Sequence, residues 1–427
     1  MKKLFPTIFL CVLTGCGGSG VPMAPQKSPH FDAVSEQLQL GGTVYAYADI
    51  EGDAERAADF LLTLLRDLPG LVPRETTGRL NATTLVRILG LNNVEAIGLS
   101  SYENGSLFHN RSFIHHSGAR EGLLKLFGAE PAAFDLVSSV PEDADFIWEQ
   151  QLDARVLVDI VRALGELGVG MSPGDLDRAL GERVLDLDMT LGAVVERLNT
   201  TAGLVLAVDE SRLLRIPGER FWFPYTDFLF RIDGLSDLAD AIAKRAALDP
   251  FIASERTEEL LIIRPAIRLP PPWNAYEPSV VKEIATGRLY IVSSPAFLER
   301  CLSTAESVTQ NEDFMRAFEQ LPATGNGLTY LSPRMTRQMH ALLDRVIETN
   351  GSSITTSIVR FFLPDVGYPV GWVAKNTEQG LLITSNSPSS HKSTLLTLGY
   401  AALLPALAVV GASMLEPEAG VAQGALD

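Results

Sequence analysis

Three histidines in one short segment, His109, His115 and His116, are the densest group of metal-ligating nitrogens in the sequence. They follow Asn104-Gly105, a hairpin signal, so the segment reads as a strand. Strand periodicity puts 109 and 115 on one face and 116 on the other. Positions six apart on a strand are about 20 Å distant, far outside a zinc shell of ~2.0–2.1 Å bonds. One metal would need a bent strand and an outside carboxylate such as Glu103, so a solvated strand face is expected and no metal. Asp175, Asp177, Asp186 and Asp188 are the next candidates, with calcium in view. The Asp-x-Asn/Asp-x-Asn/Asp-Gly loop is missing, and Ser172-Pro173 before Asp175 reads as a helix start with acids in its first turn. Asp49 with Glu103 is a pair for acid–base work. Asp recurs at 233, however, as strand-end turns favour. The sequence has no Gly-x-Ser-x-Gly, His-Glu-x-x-His, Walker or Cys-x-x-Cys motif. Gly165, Gly168 and Gly170 have the wrong spacing for a dinucleotide loop. No catalytic residue and no cofactor are expected.

The elements that would position such groups belong to a chain of 427 residues, 46% of them hydrophobic, with 35 basic against 52 acidic side chains and a net charge of −17. That length suggests two or three domains with real cores. The acidity argues against nucleic acid, which is bound largely through neutralised phosphates. Three cysteines, at 11, 16 and 301, are too few for a disulfide scaffold.

Lys2 and Lys3 precede a short apolar run, Leu4 to Val12, which is the layout of a secretory signal. Leu13-Thr14-Gly15-Cys16 follows, and this resembles the lipobox of bacterial lipoproteins. The resemblance implies a signal peptide of residues 1–15, cleavage before Cys16, and acyl chains on that cysteine, including palmitate. Processing would leave 33 basic against 52 acidic residues, a charge of −19. Only Cys301 would then remain as a thiol. Phe297, Leu298, Cys301 and Leu302 share a helical face, so Cys301 is expected to be a core thiol rather than a reactive one. Residues 16–41 read as the lipidated cysteine and a flexible tether, with 17–30 rich in Gly, Pro and Ser and reaching about 20 Å. Gly17 is not the Asp of an inner-membrane retention signal, so the lipoprotein resemblance leans toward the outer membrane.

Ser393 to Leu415 is 23 residues without a charge, about 35 Å as a helix. It reads either as a membrane segment or as an apolar helix packed on the domain or a partner. A spanning helix would imply the inner membrane, against the hint from Gly17. Residues 416–427 form an acidic tail with Glu416, Glu418 and Asp427.

Between these ends the sequence carries an internal repeat. Val44–Asp49 resembles Phe228–Asp233, each an apolar strand before an amphipathic helix. Leu152–Val156 resembles Leu331–Met335, each opening a helix. Gly203–Leu214 resembles Gly371–Leu382, each read as a hairpin with turns near Asp209–Arg212 and Thr377–Gly380. The units are 42–217 and 225–390. The expected fold class is α+β: two similar units of mainly antiparallel sheet with helices packed on one face. The arrangement resembles uncharacterised duplicated domains of exported bacterial proteins, which implies no particular activity. Arg268 to Pro278 is Pro-rich with aromatics and reads as a surface loop or a partner contact.

The expectation is a lipid-anchored cell-envelope protein facing the periplasm, acting as a non-catalytic binding or scaffold module. Its partners would be the membrane, through Cys16 and through 393–415 where that segment is read as a membrane segment, and an envelope protein or apolar ligand. The alternatives are an envelope hydrolase with a carboxylate or His site, or an apolar-ligand carrier.

Overall fold

Short alternating or continuous apolar runs separated by Gly, Asn and Asp turns give fifteen strands among the described residues. The computed structural model describes residues 27–67, 80–184, 187–218, 221–303, 307–351, 356, 359–360, 363–393 and 395. The expected signal peptide, Cys16 and nearly all of 393–427 therefore lie outside the described residues.

The strands are β1 (Val44–Asp49), β2 (Val94–Asn104), β3 (Leu107–His116), β4 (Ala132–Ala133), β5 (Phe146–Asp153), β6 (Asn199–Arg215), β7 (Trp222–Ile232), β8 (Ile252–Arg256), β9 (Leu260–Pro265), β10 (Ser279–Glu283), β11 (Leu289–Val292), β12 (Thr324–Gly325), β13 (Gly327–Leu331), β14 (Val370–Asn376) and β15 (Gly380–Ser387). Thirteen of these form one sheet in the order β1-β2-β3-β15-β14-β13-β5-β6-β7-β11-β10-β9-β8, and every neighbour is antiparallel. The helices used below are α1 (Phe31–Gln37), α2 (Asp53–Asp67), α3 (Ala82–Leu89), α4 (Arg155–Glu166), α5 (Pro173–Gly181), α6 (Leu191–Arg197), α7 (Ser236–Ala246), α8 (Pro295–Leu302), α9 (Glu312–Ala317) and α10 (Pro333–Asn350). The chain is α+β.

The two sequence units do not stand side by side. Residues 42–217 supply β1–β3 at one end of the sheet and β5–β6 in its middle. Residues 225–390 supply β7–β11 at the other end and β13–β15 between β3 and β5. The boundary near 217–225 falls at the β6–β7 hairpin, inside the sheet. The second recurrence has matching places: Leu152–Val156 leads from β5 into α4, and Leu331–Met335 from β13 into α10. These two strands pair at the centre, Leu331 opposite Phe146 and Gly327 opposite Gln150. The first recurrence does not. β1 is an edge strand on β2, whereas 228–232 belongs to β7, paired on both sides. An apolar strand sequence does not specify its neighbours.

The turn expected at Asp209–Arg212 is a bulge instead. The Asp209 carboxylate accepts from the Ser211 amide at 3.0 Å and its hydroxyl at 2.6 Å, which absorbs the extra residues. β6 then resumes with Leu213 opposite Pro224. The turn at 377–380 joins β14 and β15 as expected.

Register carries one face across the sheet: Tyr330 faces Ile147, then Val205, Leu229 and Val292 in succession. Phe297, Cys301 and Phe314 from α8 and α9 pack on this row. On the same face, Val34 and Leu38 of the α1 region pack on Ala96 and Phe113. The opposite face carries α7, where Ala239 packs with Leu261, Ile263 and Leu289. Helices thus lie on both faces rather than one, because α7 follows β7 to the other side. The tether read over 16–41 also ends earlier. Ser28 already bonds Asp49, and α1 buries Val34.

Gly371 sits where α9 comes closest to the sheet. A Cβ there would stand 2.5 Å from the Ala317 carbonyl oxygen. Gly371→Ala should therefore lower stability by about 1–3 kcal/mol, read as a lower urea midpoint with an unchanged slope. An unchanged midpoint would mean that α9 does not rest on this strand.

Candidate functional site

β2 begins with an irregularity: its register with β3 skips between Val94 and Ala96, leaving Glu95 unpaired in the ladder. Opposite it, near the end of β3, stands His115. Above both lies His30, the residue that precedes α1. The seat of α1 is Gly98. A Cβ there would meet Val34 Cγ1 at 2.2 Å, so only glycine admits the helix. That close approach fixes His30 over the strand ends.

Glu95 Oε2 lies 3.1 Å from His30 Nδ1 and 3.4 Å from His115 Nε2. The other nitrogen of each ring also has a partner. His30 Nε2 is 3.2 Å from Glu51 Oε2, and His115 Nδ1 donates to the Gln379 carbonyl at 2.9 Å. The ring centroids are 5.3 Å apart. Side-chain exposures of 14% for His30, 18% for Glu95 and 11% for His115 leave the group half-sheltered but reachable from solvent. Asp49 stands beside it, with its carboxyl held below the usual range first by the Ser28 hydroxyl and then by the Glu51 amide, against the opposing effect of burial. Two imidazoles and one carboxylate within a shared radius can hold a metal ion.

The other sequence candidates are dispersed. His109 shares the face of His115 but is buried mid-strand, its Nδ1 2.8 Å from Asn386 Oδ1, and burial pushes its pKa down. His116 points to the opposite face, and its pKa is also pushed down, chiefly by burial. It lines an open cleft of about 740 Å³ with Arg120, Lys125 and Arg155. Asp49 pairs with Ala96, seven residues along β2 from Glu103, a separation of roughly 24 Å, so these two do not meet. Asp175 is paired with Arg178, Asp177 with Arg162 and Asp188 with Arg183, as helix and turn charges; Asp186 lies outside the described residues. Cys301 is core, and burial pushes its thiol up to about 12. No helix among the described residues is long and apolar enough to cross a membrane.

Sequence reasoning missed His30, Glu51 and Glu95. His30 falls in the stretch that reads as a tether, although Phe31, Val34 and Leu38 behind it are spaced as one helical face. The register skip that turns Glu95 toward His115 has no mark in the sequence.

Two further features carry polar or aromatic chemistry. Glu149 of β5 and Arg231 of β7 approach to 4.0 Å across Gly203 of β6, under Leu136. Arg231 also pairs with Asp135 and Asp233, and Arg288 reaches Asp135. Three carboxyls thus face two guanidiniums. Burial, followed by the hydrogen bond to Asp135, pushes Glu149 up to about 8, so it is the carboxyl that keeps a proton. The Pro-rich loop, in turn, folds onto the end of the β6–β7 hairpin. Tyr276 stacks on Tyr225 at 4.7 Å, and Arg212 lies 3.8 Å over the Tyr225 ring. Ile216, Phe223, Pro272 and Trp273 border an open cleft of about 510 Å³ there.

Compared with known proteins, the chain matches no family model, no curated protein and no solved structure.

The state of Glu149 gives a pH test. In the unfolded chain this carboxyl loses its proton near pH 4.5, whereas in the fold it keeps it to about pH 8. Its stabilising contribution is therefore full below about pH 4.5 and is lost as pH rises to about 8. Glu149→Gln, neutral throughout, should lose less stability than the parent between about pH 5 and 8, measured by urea unfolding. An equal loss in both proteins would place the proton elsewhere.

Proposed function

We propose that the chain is a lipid-anchored, non-catalytic binding module of the bacterial cell envelope, facing the periplasm. The anchor rests on Leu13-Thr14-Gly15-Cys16, with Cys16 as the acylated residue. Multiple acyl chains hold a protein stably at a bilayer, where a single one does not. By composition, the Gly-, Pro- and Ser-rich stretch between Cys16 and Ser28 would reach about 20 Å from the membrane. Gly17 favours the outer membrane. The apolar segment 393–415 is the candidate second membrane contact, and if it spans, the inner membrane is the address.

The observation that carries the binding reading is the aromatic–proline cleft at the β6–β7 tip. Trp273 is 57% exposed, Leu213 56% and Trp222 50%, beside the partly exposed Ile216. Large apolar side chains gathered at one tip, with Arg212 among them, have the composition of a protein-docking surface. The partner that fits is an extended apolar or proline-containing segment of another envelope protein, laid against the rings. An envelope hydrolase is the second reading, and the His30–Glu95–His115 group is the observation that favours it.

Site-specific photocrosslinking at Leu213 in intact envelopes tests the main reading. A discrete crosslinked partner is expected, lost at least tenfold in the Ile216→Asp, Trp273→Ala variant while circular dichroism and the thermal midpoint stay near the parent's. Equal crosslinking in that variant, or no discrete adduct in the parent, would contradict it. Hydrolysis of a substrate panel by the parent, abolished in His115→Gln, would establish the second reading instead.

A further inference from the structure

We propose that His30, Glu95 and His115 bind one late first-row divalent metal ion of the zinc type, through His30 Nδ1, His115 Nε2 and Glu95 Oε2. The proposal is independent of the aromatic cleft, which lies on a different part of the sheet.

The convergence of three ligating atoms carries it. Glu95 Oε2 stands 3.1 Å from His30 Nδ1 and 3.4 Å from His115 Nε2. His115 Nδ1 donates to the Gln379 carbonyl, which leaves Nε2 as the nitrogen turned toward Glu95. His30 Nε2 lies against Glu51, which leaves Nδ1 turned toward the same carboxylate. One cation placed between the three atoms can take all of them as ligands.

The dimensions agree. In a tetrahedral shell with bonds of ~2.0–2.1 Å, ligand atoms stand roughly 3.3 Å apart. The two distances from Glu95 are 3.1 and 3.4 Å, and all three ligand atoms lie within 4.8 Å of one another. Each ring is also held from behind, His30 by a carboxylate and His115 by a backbone carbonyl. Such outer contacts fix the orientation of metal-binding imidazoles. Two nitrogens with one oxygen select zinc and its neighbours over calcium or magnesium, which take oxygen shells. Three protein ligands leave a fourth position to water.

The mechanical consequence is local. His30 immediately precedes α1, the first helix among the described residues, whereas Glu95 and His115 belong to β2 and β3. A bound ion would fasten the membrane-proximal end of the chain to the sheet.

The test uses the full-length chain purified in detergent and stripped with chelator, titrated with Zn²⁺ and, in parallel, with Co²⁺. One equivalent of Zn²⁺ should bind and raise the thermal midpoint, and Co²⁺ should give the visible d–d bands of a four- or five-coordinate site. Glu95→Gln and His115→Gln, with circular dichroism like the parent's, should weaken Zn²⁺ at least about 100-fold, and Glu51→Gln about tenfold. Asp49→Asn should change it less than twofold, because Asp49 is not a ligand. The proposal is overturned if the parent shows no saturable Zn²⁺ binding and no midpoint shift. Undiminished binding in both Glu95→Gln and His115→Gln overturns it equally, as does loss of binding in Asp49→Asn alone. The parent's own titration decides even if a variant fails to fold, and no readout depends on hydrolysis.

Discussion

Asp145 is 1% exposed and stands one residue before β5, where the two recurring segments of the chain meet. Its carboxylate accepts from Arg334 at 2.6 and 2.7 Å, from the Ser332 hydroxyl at 2.5 Å and from the Val208 amide at 2.7 Å. The Ser332 amide closes the junction on the Asp145 carbonyl at 2.8 Å. One buried carboxylate thereby ties the start of β5, the end of β13 and the middle of β6. A buried charge is costly unless fully paired, and removing one partner of such a pair typically costs 3–5 kcal/mol. The pairing of β5 with β13 carries the sheet across from one half to the other. Without it, β1–β3 with β13–β15 and β5–β11 would be two separate half-sheets.

That junction leaves the surface features far apart. The His30–Glu95–His115 group sits by the β1–β2–β3 edge. The aromatic cleft sits at the tip of the β6–β7 hairpin, across the central pair. Under the proposed anchoring, the end of the sheet near Ser28 would stay fixed while the aromatic cleft is presented elsewhere on the same sheet. Buried charge is used structurally in between. The Glu149–Arg231 contact exists because Gly203 on the intervening strand has no side chain to separate them.

Much of the local structure was legible. Strands β1–β3, the β14–β15 hairpin, the helices opening at Arg155 and Pro333, and the core position of Cys301 follow from periodicity and turn residues. The α+β class follows with them. Strand order was not legible, because Val44–Asp49 and Phe228–Asp233 look alike and yet occupy an edge and an interior position. Pairing is set by side-chain contacts between strands distant in sequence. The bulge at Asp209–Arg212 passed for a turn, since Asp and Ser favour both. The metal-ligating group was hidden for a similar reason. Only His115 lay in the histidine cluster, and its partners come from residues 30 and 95, brought in by a helix seat and a register skip.

The dependence of the whole sheet on the β5–β13 junction is tested most directly by native-state hydrogen exchange at low denaturant. If the interleaved strands form one cooperative unit, the most protected amides of β3, β15, β13, β5, β6 and β7 should exchange through a single opening, with one common free energy and one denaturant slope. Two distinct openings, one for β1–β3 with β13–β15 and another for β5–β11, would contradict it.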